Sequence, residues 1–288
     1  SDRISVLRDG HVIRTERTAN WTKEEMIRQM VGRDMKQVYP EVQKTIGSET
    51  VLETKGLCCA GFVKDVSLQL KKGEILGMFG LMGAGRSEVA RAVFGVDPIE
   101  GGEVIIKGTP FTRITPELCI RNKMAFVTEN RREEGLLMPK TVCENAALVL
   151  ERDLVGRLGI IDVAREEQMT EKAISEMGVK SADPRTQAVN SLSGGNQQKV
   201  VVGKWAVTEP EILIVDEPTR GIDVGAKYEI YKLLKGLAAR GAAILFISSE
   251  MEELMGMCDS IIAMKDGVIS GRVDRSEFSQ ENIGTLAL

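Results

Sequence analysis

Between Ser191 and Asp223 the chain carries two short groups of residues suited to handling a phosphate. The first, Leu192-Ser193-Gly194-Gly195-Asn196-Gln197-Gln198, is a hydroxyl and paired glycines running into a helix-like segment that extends through Ala206. Backbone amides free at a helix N-terminus, with no Cβ atoms in the way, suit an anion. The second is the apolar run Ile212-Leu213-Ile214-Val215, which ends in Asp216-Glu217. Such a run predicts a parallel strand buried on both faces, delivering two carboxylates at its carboxyl end.

A third group lies upstream. Ile75-Leu76-Gly77-Met78-Phe79 reads as a strand and is followed by Gly80-Leu81-Met82-Gly83-Ala84-Gly85-Arg86-Ser87. This is the phosphate-cradling pattern GxxxxGK[ST] with arginine in place of lysine. The strand before it, and a helix after it with Val89, Ala90, Val93 and Phe94 on one face, supply the context the pattern needs. Gly80, Gly83 and Gly85 let backbone amides face the phosphates, and Ser87 is placed to ligate magnesium. Arg86 is the departure, because a guanidinium is a broad planar fork whereas lysine is a point charge on a slim stem. The exchange is compatible with nucleotide binding; it puts catalytic positioning in doubt.

The elements that must position these groups follow from periodicity. Val51 to Leu57 and Val63 to Leu70 alternate as antiparallel strands at the edge of the core, and Glu103 to Ile106 reads as another edge strand. Ala125-Phe126-Val127 leads into Thr128-Glu129-Asn130-Arg131-Arg132-Glu133-Glu134-Gly135-Leu136. The charges from Arg131 to Glu134 are either a solvated loop or a hinge into a helical subdomain. From about Leu136 to Val189 the sequence is the most helix-like, with Glu144 to Leu150 and Val163 to Met177 fitting amphipathic helices. Tyr228, Ile230, Tyr231, Leu234 and Leu237 mark a helix closing near Gly241. Ala243-Ile244-Leu245-Phe246-Ile247 is the next buried strand, ending in Ser248-Ser249-Glu250.

With 288 residues and 43% hydrophobic content the chain can bury a substantial core. A net charge of −4 gives no electrostatic reason to expect nucleic acid as a partner. The five cysteines are scattered, with no pair at zinc-ligand spacing, which suits a reduced, cytosolic protein with buried thiols. No stretch approaches the apolar length of a membrane span, so a membrane role must act through a partner. Near the N-terminus, Asp2 to Ile13 reads as a hairpin turning at Asp9-Gly10. The pattern returns from Asp259 to Ile269, an offset of 257 residues from Asp2, and Thr22 to Ile27 echoes Ser279 to Ile283. The expectation is that residues 1–48 are the tail of a preceding domain plus a linker, and 49–288 a complete domain of the same kind.

Together these motifs resemble the ABC ATPases, and among them the second ATPase half of tandem importers for ribose, galactose and similar small sugars. The resemblance covers about residues 49 to 288 plus the tail of a first half. It rests on Gly80 to Arg86, Leu192 to Lys199, Asp216 to Asp223 and Ile247 to Glu250. It implies an α/β, P-loop ABC-type domain with a mixed central sheet, an antiparallel β edge and a helical subdomain inserted at about 136–190. It also implies ATP and Mg2+ as cofactors, Ser87 and Asp216 as magnesium ligands and Glu217 as general base. Glu129 stands where such domains commonly have a glutamine that senses magnesium and water. Ser249 stands where they usually have a histidine on the γ-phosphate, and the single histidine here, His11, lies in the tail. No aromatic lies between Val51 and Gly61 to stack the adenine; Phe62 is the nearest, and a place in the core competes for it. Base stacking contributes roughly 1–3 kcal/mol in related settings, so its absence weakens nucleotide binding.

In such ATPases two halves meet head to tail, and each nucleotide lies between one half's phosphate loop and the other's signature segment. The resemblance therefore gives Arg86, Ser87, Glu129, Asp216, Glu217 and Ser249 to this half's own, degenerate site. Ser193, Gly194, Gly195 and Asn196 complete the other site. The expectation is one site that turns over and one that mainly holds nucleotide, with the isolated chain a weak ATP hydrolase. The implied partners are the first ATPase half of the same polypeptide, an integral membrane permease and, indirectly, a periplasmic sugar-binding protein. The implied place is peripheral, on the cytoplasmic face of the inner membrane. Nucleoside importers have similar halves, which leaves the carried molecule open. A rival reading is a nucleotide-sensing regulatory or scaffolding module of a cytosolic machine. Against it, the sequence has no long coiled-coil insertion and no basic tract for RNA.

Overall fold

The structure is a computed structural model and describes residues 1–8, 11–31, 39–150 and 162–288. The expected turn at Asp9-Gly10 and part of the expected helical subdomain, residues 151–161, lie outside the described residues. The chain opens with β1 (Arg3–Arg8) paired antiparallel to β2 (His11–Arg17), followed by helix α1 (Lys23–Val31). Next come β3 (Thr50–Cys59) and β4 (Val63–Lys71), then β5 (Ile75–Gly80) and α2 (Arg86–Val93). After them run β6 (Gly101–Ile106), β7 (Thr109–Phe111), α3 (Pro116–Arg121) and β8 (Met124–Val127). The order β4-β3-β6-β7 makes an antiparallel four-stranded sheet. Glu103 to Ile106 is therefore an inner strand rather than an edge. Lys107 and Gly108, both at positive φ (49° and 79°), turn the chain tightly enough to lay β7 against it.

Past β8 the chain forms α4 (Val142–Ala147), α5 (Val163–Glu176) and α6 (Gly194–Ala206), which pack on one another. Then come β9 (Ile212–Asp216), α7 (Val224–Ala239), β10 (Ala243–Ile247) and α8 (Met251–Met257). β11 (Ser260–Lys265), β12 (Val268–Asp274) and α9 (Gln280–Ala287) close the chain. The main sheet runs β12-β11-β5-β10-β9-β8 and is parallel except for β12. β5, β8, β9 and β10 are buried along their whole length, as runs without a polar face require. The fold is the mixed-sheet α/β cassette with an antiparallel β edge and a helical insertion.

The N-terminal hairpin and the C-terminal one are the same object in two copies. β1 and β2 match β11 and β12 residue for residue at an offset of 257, as Arg3 and Ser260 show. One-turn 3-10 helices come after both, at Thr18–Asn20 and Arg275–Glu277. Each hairpin shifts register at the same place, Val6/Leu7 in one and Ala263/Met264 in the other. The next helix is capped alike: Glu25 N donates to Thr22 Oγ1 at 3.1 Å, and Asn282 N to Ser279 Oγ at 3.0 Å. The copies differ in their surroundings. β11 also pairs with β5, whereas among the described residues β1 pairs with β2 alone.

Residues 39–48 are strapped onto the cassette. The Tyr39 ring packs on Tyr231 of α7 with centroids 5.3 Å apart. Gly256 of α8 has no side chain because a Cβ there would fall 2.4 Å from that ring. Lys44 donates to Gly73 O at 3.1 Å and forms an ion pair with Asp259. Gly47 N donates to Lys72 O at 2.9 Å. Tyr39→Ala should lower the unfolding free energy by about 2 kcal/mol, from lost aromatic packing and buried area. Val42→Ala, at a residue 37% exposed, should stay within about 0.5 kcal/mol. Urea denaturation of both variants checks this.

Candidate functional site

In a parallel sheet the loops leaving the carboxyl ends of neighbouring strands converge. Here the ends of β5, β9 and β10 meet around a cleft of about 410 Å³ lined by Gly83, Gly85, Arg86, Ser87, Glu129, Glu217, Arg220 and Ser249. Gly80 sits at the base of the β5 loop, where a Cβ would come 2.7 Å from Met264 O. Gly85 heads α2 in the left-handed region, at φ 99°. That conformation is cheap for glycine and aims the first amides of the helix into the cleft.

Asp216 lies behind the loop, 3% exposed, with Oδ1 buried and without a hydrogen-bond partner. Burial pushes its carboxyl up to about 6, helped by the charge of Glu217 and opposed by the Ser87 hydroxyl and Arg86. A hydroxyl beside an orphaned buried carboxylate oxygen is a hard oxygen pair that fits magnesium. Glu217 stands at the strand end with φ 47°, its amide donating to Ile247 O at 3.0 Å. Its Oε1 accepts from Ser249 N at 2.7 Å and lies 3.6 Å from Arg86 Nη1. Burial raises the Glu217 carboxyl above the usual carboxylate range, even though Ser249 and Arg86 both pull it down. Arg86 Nη1 is buried with no hydrogen bond, so the charge of this loop is directed at Glu217 through an ion pair alone.

Glu129 is in the same cleft and forms an ion pair with Arg220 across its mouth. Phe62 is 40% exposed rather than in the core, its ring edge 3.4 Å from where a Gly85 Cβ would lie. The Ser193–Asn196 segment faces elsewhere. With Lys180, Lys199 and Asp223, its Ser193, Gly195 and Asn196 line a separate cavity of about 620 Å³. Ser193 caps α6, accepting from Asn196 Nδ2 at 3.0 Å, and Asn196 Oδ1 accepts from Lys180 N at 3.0 Å. Gly195 permits the close approach of α7, since a Cβ would fall 2.5 Å from Ala226 Cβ. The sequence-derived residues thus divide into two surfaces that share none of them. Sequence reasoning left Phe62 open between the core and the cleft, and it missed Arg220 and Arg131, whose Nη2 lies 3.0 Å from a Gly194 Cβ position. Arg220 comes directly after Asp216-Glu217-Pro218-Thr219, which was the available signal.

The ABC transporter family profile matches residues 63–220, more than half of the chain. The chain belongs to the ABC transporter family. It is the ATP-binding domain of that family, and it is 43% identical over 286 residues to the ribose import ATP-binding protein of Bacillus licheniformis. That alignment covers 99% of this chain and 57% of the relative. A Rhizobium etli protein named for ribose, galactose and methyl galactoside import is 42% identical over all of this chain and 56% of its own length. This ABC chain therefore spans little more than half the length of these curated relatives. Among solved structures, an ATP-binding cassette dimer with ADP and phosphate bound matches with a TM-score of 0.68. It is 23% identical and covers 79% of this chain and 100% of its own. A second cassette matches at 0.70, with 18% identity and 84% and 100% coverage. These likenesses carry the fold.

Lys204 of α6 is 7% exposed and donates to Gly135 O at 2.5 Å. Burial pushes its pKa down to about 8. An unfolded lysine titrates near 10.4, so between about pH 8 and 10 the unfolded chain binds more protons and stability rises with pH. Lys204→Met lacks this term. Urea midpoints at about pH 7.5, 8.5 and 9.5 should move in favour of the wild-type chain relative to the variant as pH rises.

Proposed function

We propose that this chain is the second ATPase half of a tandem ABC importer, energising uptake of a small sugar such as ribose or galactose. One observation carries the reading: within one chain the loop cation Arg86 is engaged by the Glu217 carboxylate, while the Ser193–Asn196 segment is capped, open and faces another way. On this reading ATP and Mg2+ bind in the cleft of β5, β9 and β10, with Ser87 and Asp216 on the metal, but turn over slowly there. Gly194 and its neighbours complete the productive site of the first half, whose loop supplies the lysine this chain lacks. Glu217 is the general base of a site that is largely idle. The repeated hairpin, 3-10 turn and capped helix at an offset of 257 support a preceding half of the same kind. So does the length of the relatives, of which the chain covers 57% in one case. Reading the coding sequence upstream of Ser1 should reveal a lysine-bearing phosphate loop, and an unrelated domain there would refute the tandem.

The remaining partners are an integral membrane permease and, through it, a periplasmic sugar-binding protein. The names of the relatives support this. The same names support a peripheral place at the cytoplasmic face of the inner membrane; no helix among the described residues is long and apolar enough to cross a membrane.

Calorimetry of the chain with Mg·ATP should give weak binding, with a dissociation constant of roughly 10–1000 µM. Nanomolar affinity, or none at millimolar ATP, contradicts the reading of the loop. A second pair of variants tests the division of labour in the assembled transporter. Gly194→Asp places a carboxylate where the other half's phosphate must sit, and also draws Arg131 onto itself. Losing such a donor costs about 3–4 kcal/mol, or roughly 100- to 1000-fold in ATPase rate. Glu217→Gln should cost less than about tenfold, because groups that act as a unit are non-additive and this unit is already incomplete. Equal losses from both variants would overturn the asymmetry.

A further inference from the structure

In the charged run after β8, Arg132, Glu133 and Glu134 are exposed, as a solvated face would be, whereas Arg131 is half-buried. Arg131–Gly135 forms a five-residue π-helical turn, a distortion frequent at functional sites. Three separate elements hold it. Glu134 pairs with Arg91 of α2, the helix that leaves the phosphate loop, at 2.9 Å. Gly135 O accepts from Lys204 of α6, and a Cβ on Gly135 would lie 3.1 Å from Val201 of the same helix. Arg131 Nη1 donates to Arg220 O at 3.0 Å, while Nη2 lies 3.0 Å from the Gly194 Cβ position.

The setting of Arg131 is unusual for a cation. No carboxylate among the described residues pairs with it, and its Nε is buried without a hydrogen-bond partner. Its guanidinium is wedged between two backbone segments, at Gly194 and at Arg220-Gly221. The side chain of Arg220 meanwhile reaches Glu129 at the mouth of this half's cleft. A continuous path thus runs from Glu129 to Arg220, from Arg220 to Arg131, and from Arg131 to Gly194. A nucleotide entering the cleft meets Glu129 and Arg220, so its presence bears on where the Arg220 carbonyl sits. A planar fork can touch both segments at once, which a lysine ammonium cannot.

We propose that Arg131 is a positioning residue that couples the two nucleotide sites, setting the place of Gly194 according to how Glu129 and Arg220 are engaged. The inference rests on the reading that Gly194 completes the active site of the first half.

The test is steady-state ATPase activity of the assembled transporter, with Arg131→Met and Arg131→Lys beside Gly194→Asp. Both Arg131 variants should lose about tenfold or more in kcat with KM within about twofold, the pattern of an interaction felt in the transition state. The 288-residue chain carrying either variant should keep its Mg·ATP affinity within about twofold and its urea midpoint, which a merely structural role would not predict. In a double-mutant cycle, Glu129→Gln should slow the wild type but add nothing to Arg131→Met. Full additivity in that cycle overturns the coupling, as does wild-type kcat in either Arg131 variant while Gly194→Asp is inactive. Lost Mg·ATP affinity in the Arg131 variants also overturns it, by moving Arg131 into this half's own site. If Gly194→Asp itself leaves kcat unchanged, the division of labour fails, and this inference with it.

Discussion

Everything at this site depends on two carboxylates held where water is scarce. β9 is flanked by β8 and β10, and all five of its residues are buried, so its end holds the Asp216 and Glu217 side chains largely out of water at the edge of the cleft. A buried charge without partners costs several kcal/mol, and the neighbouring strand ends supply the partners. Ser87 from the β5 loop serves Asp216, while the Ser249 amide from the β10 loop and Arg86 serve Glu217. That arrangement locks three loops together and uses up the only cation of the phosphate loop. On the proposed division of labour, the geometry that stabilises the cleft is also the geometry that slows it.

A third carboxylate, also buried, braces the same loops from behind. Glu253 of α8 is 1% exposed and accepts from Thr219 Oγ1 at 2.5 Å and from the Ser248 hydroxyl. Thr219 and Ser248 lie just past β9 and β10, so one side chain fixes the exits of both strands. Tyr231 also bonds Glu253, and Tyr39 of the strap lies on Tyr231. The segment that precedes the cassette is thus in packing contact with the support of its catalytic loops.

Much of this was legible in the sequence, for reasons that are local. Ile212 to Val215 has no polar face, so it could only be an inner strand, and the glycine frame from Gly80 to Gly85 could only be a tight loop before a helix. The offset of 257 between Asp2 and Asp259 survives as matched hairpins with the same register shift. The hidden part depends on side chains far apart in the chain. Nothing in periodicity brings Arg86 to Glu217, Arg220 to Glu129 or Arg131 to Gly194. Phe62 was ambiguous because a ring next to Val63 suits a core as well as a rim, and only its exposure of 40% decides. Glu103 to Ile106 looked like an edge because β7 is only three residues long and carries Pro110.

On the proposed division of labour, one composite site turns over while the one built on Arg86 and Glu217 holds its nucleotide. The most direct measurement is the nucleotide content of the assembled transporter, quenched after a single turnover with Mg·ATP and separated by chromatography. About one ADP and one ATP per pair of halves is the expected result. Two ADP per pair would contradict it.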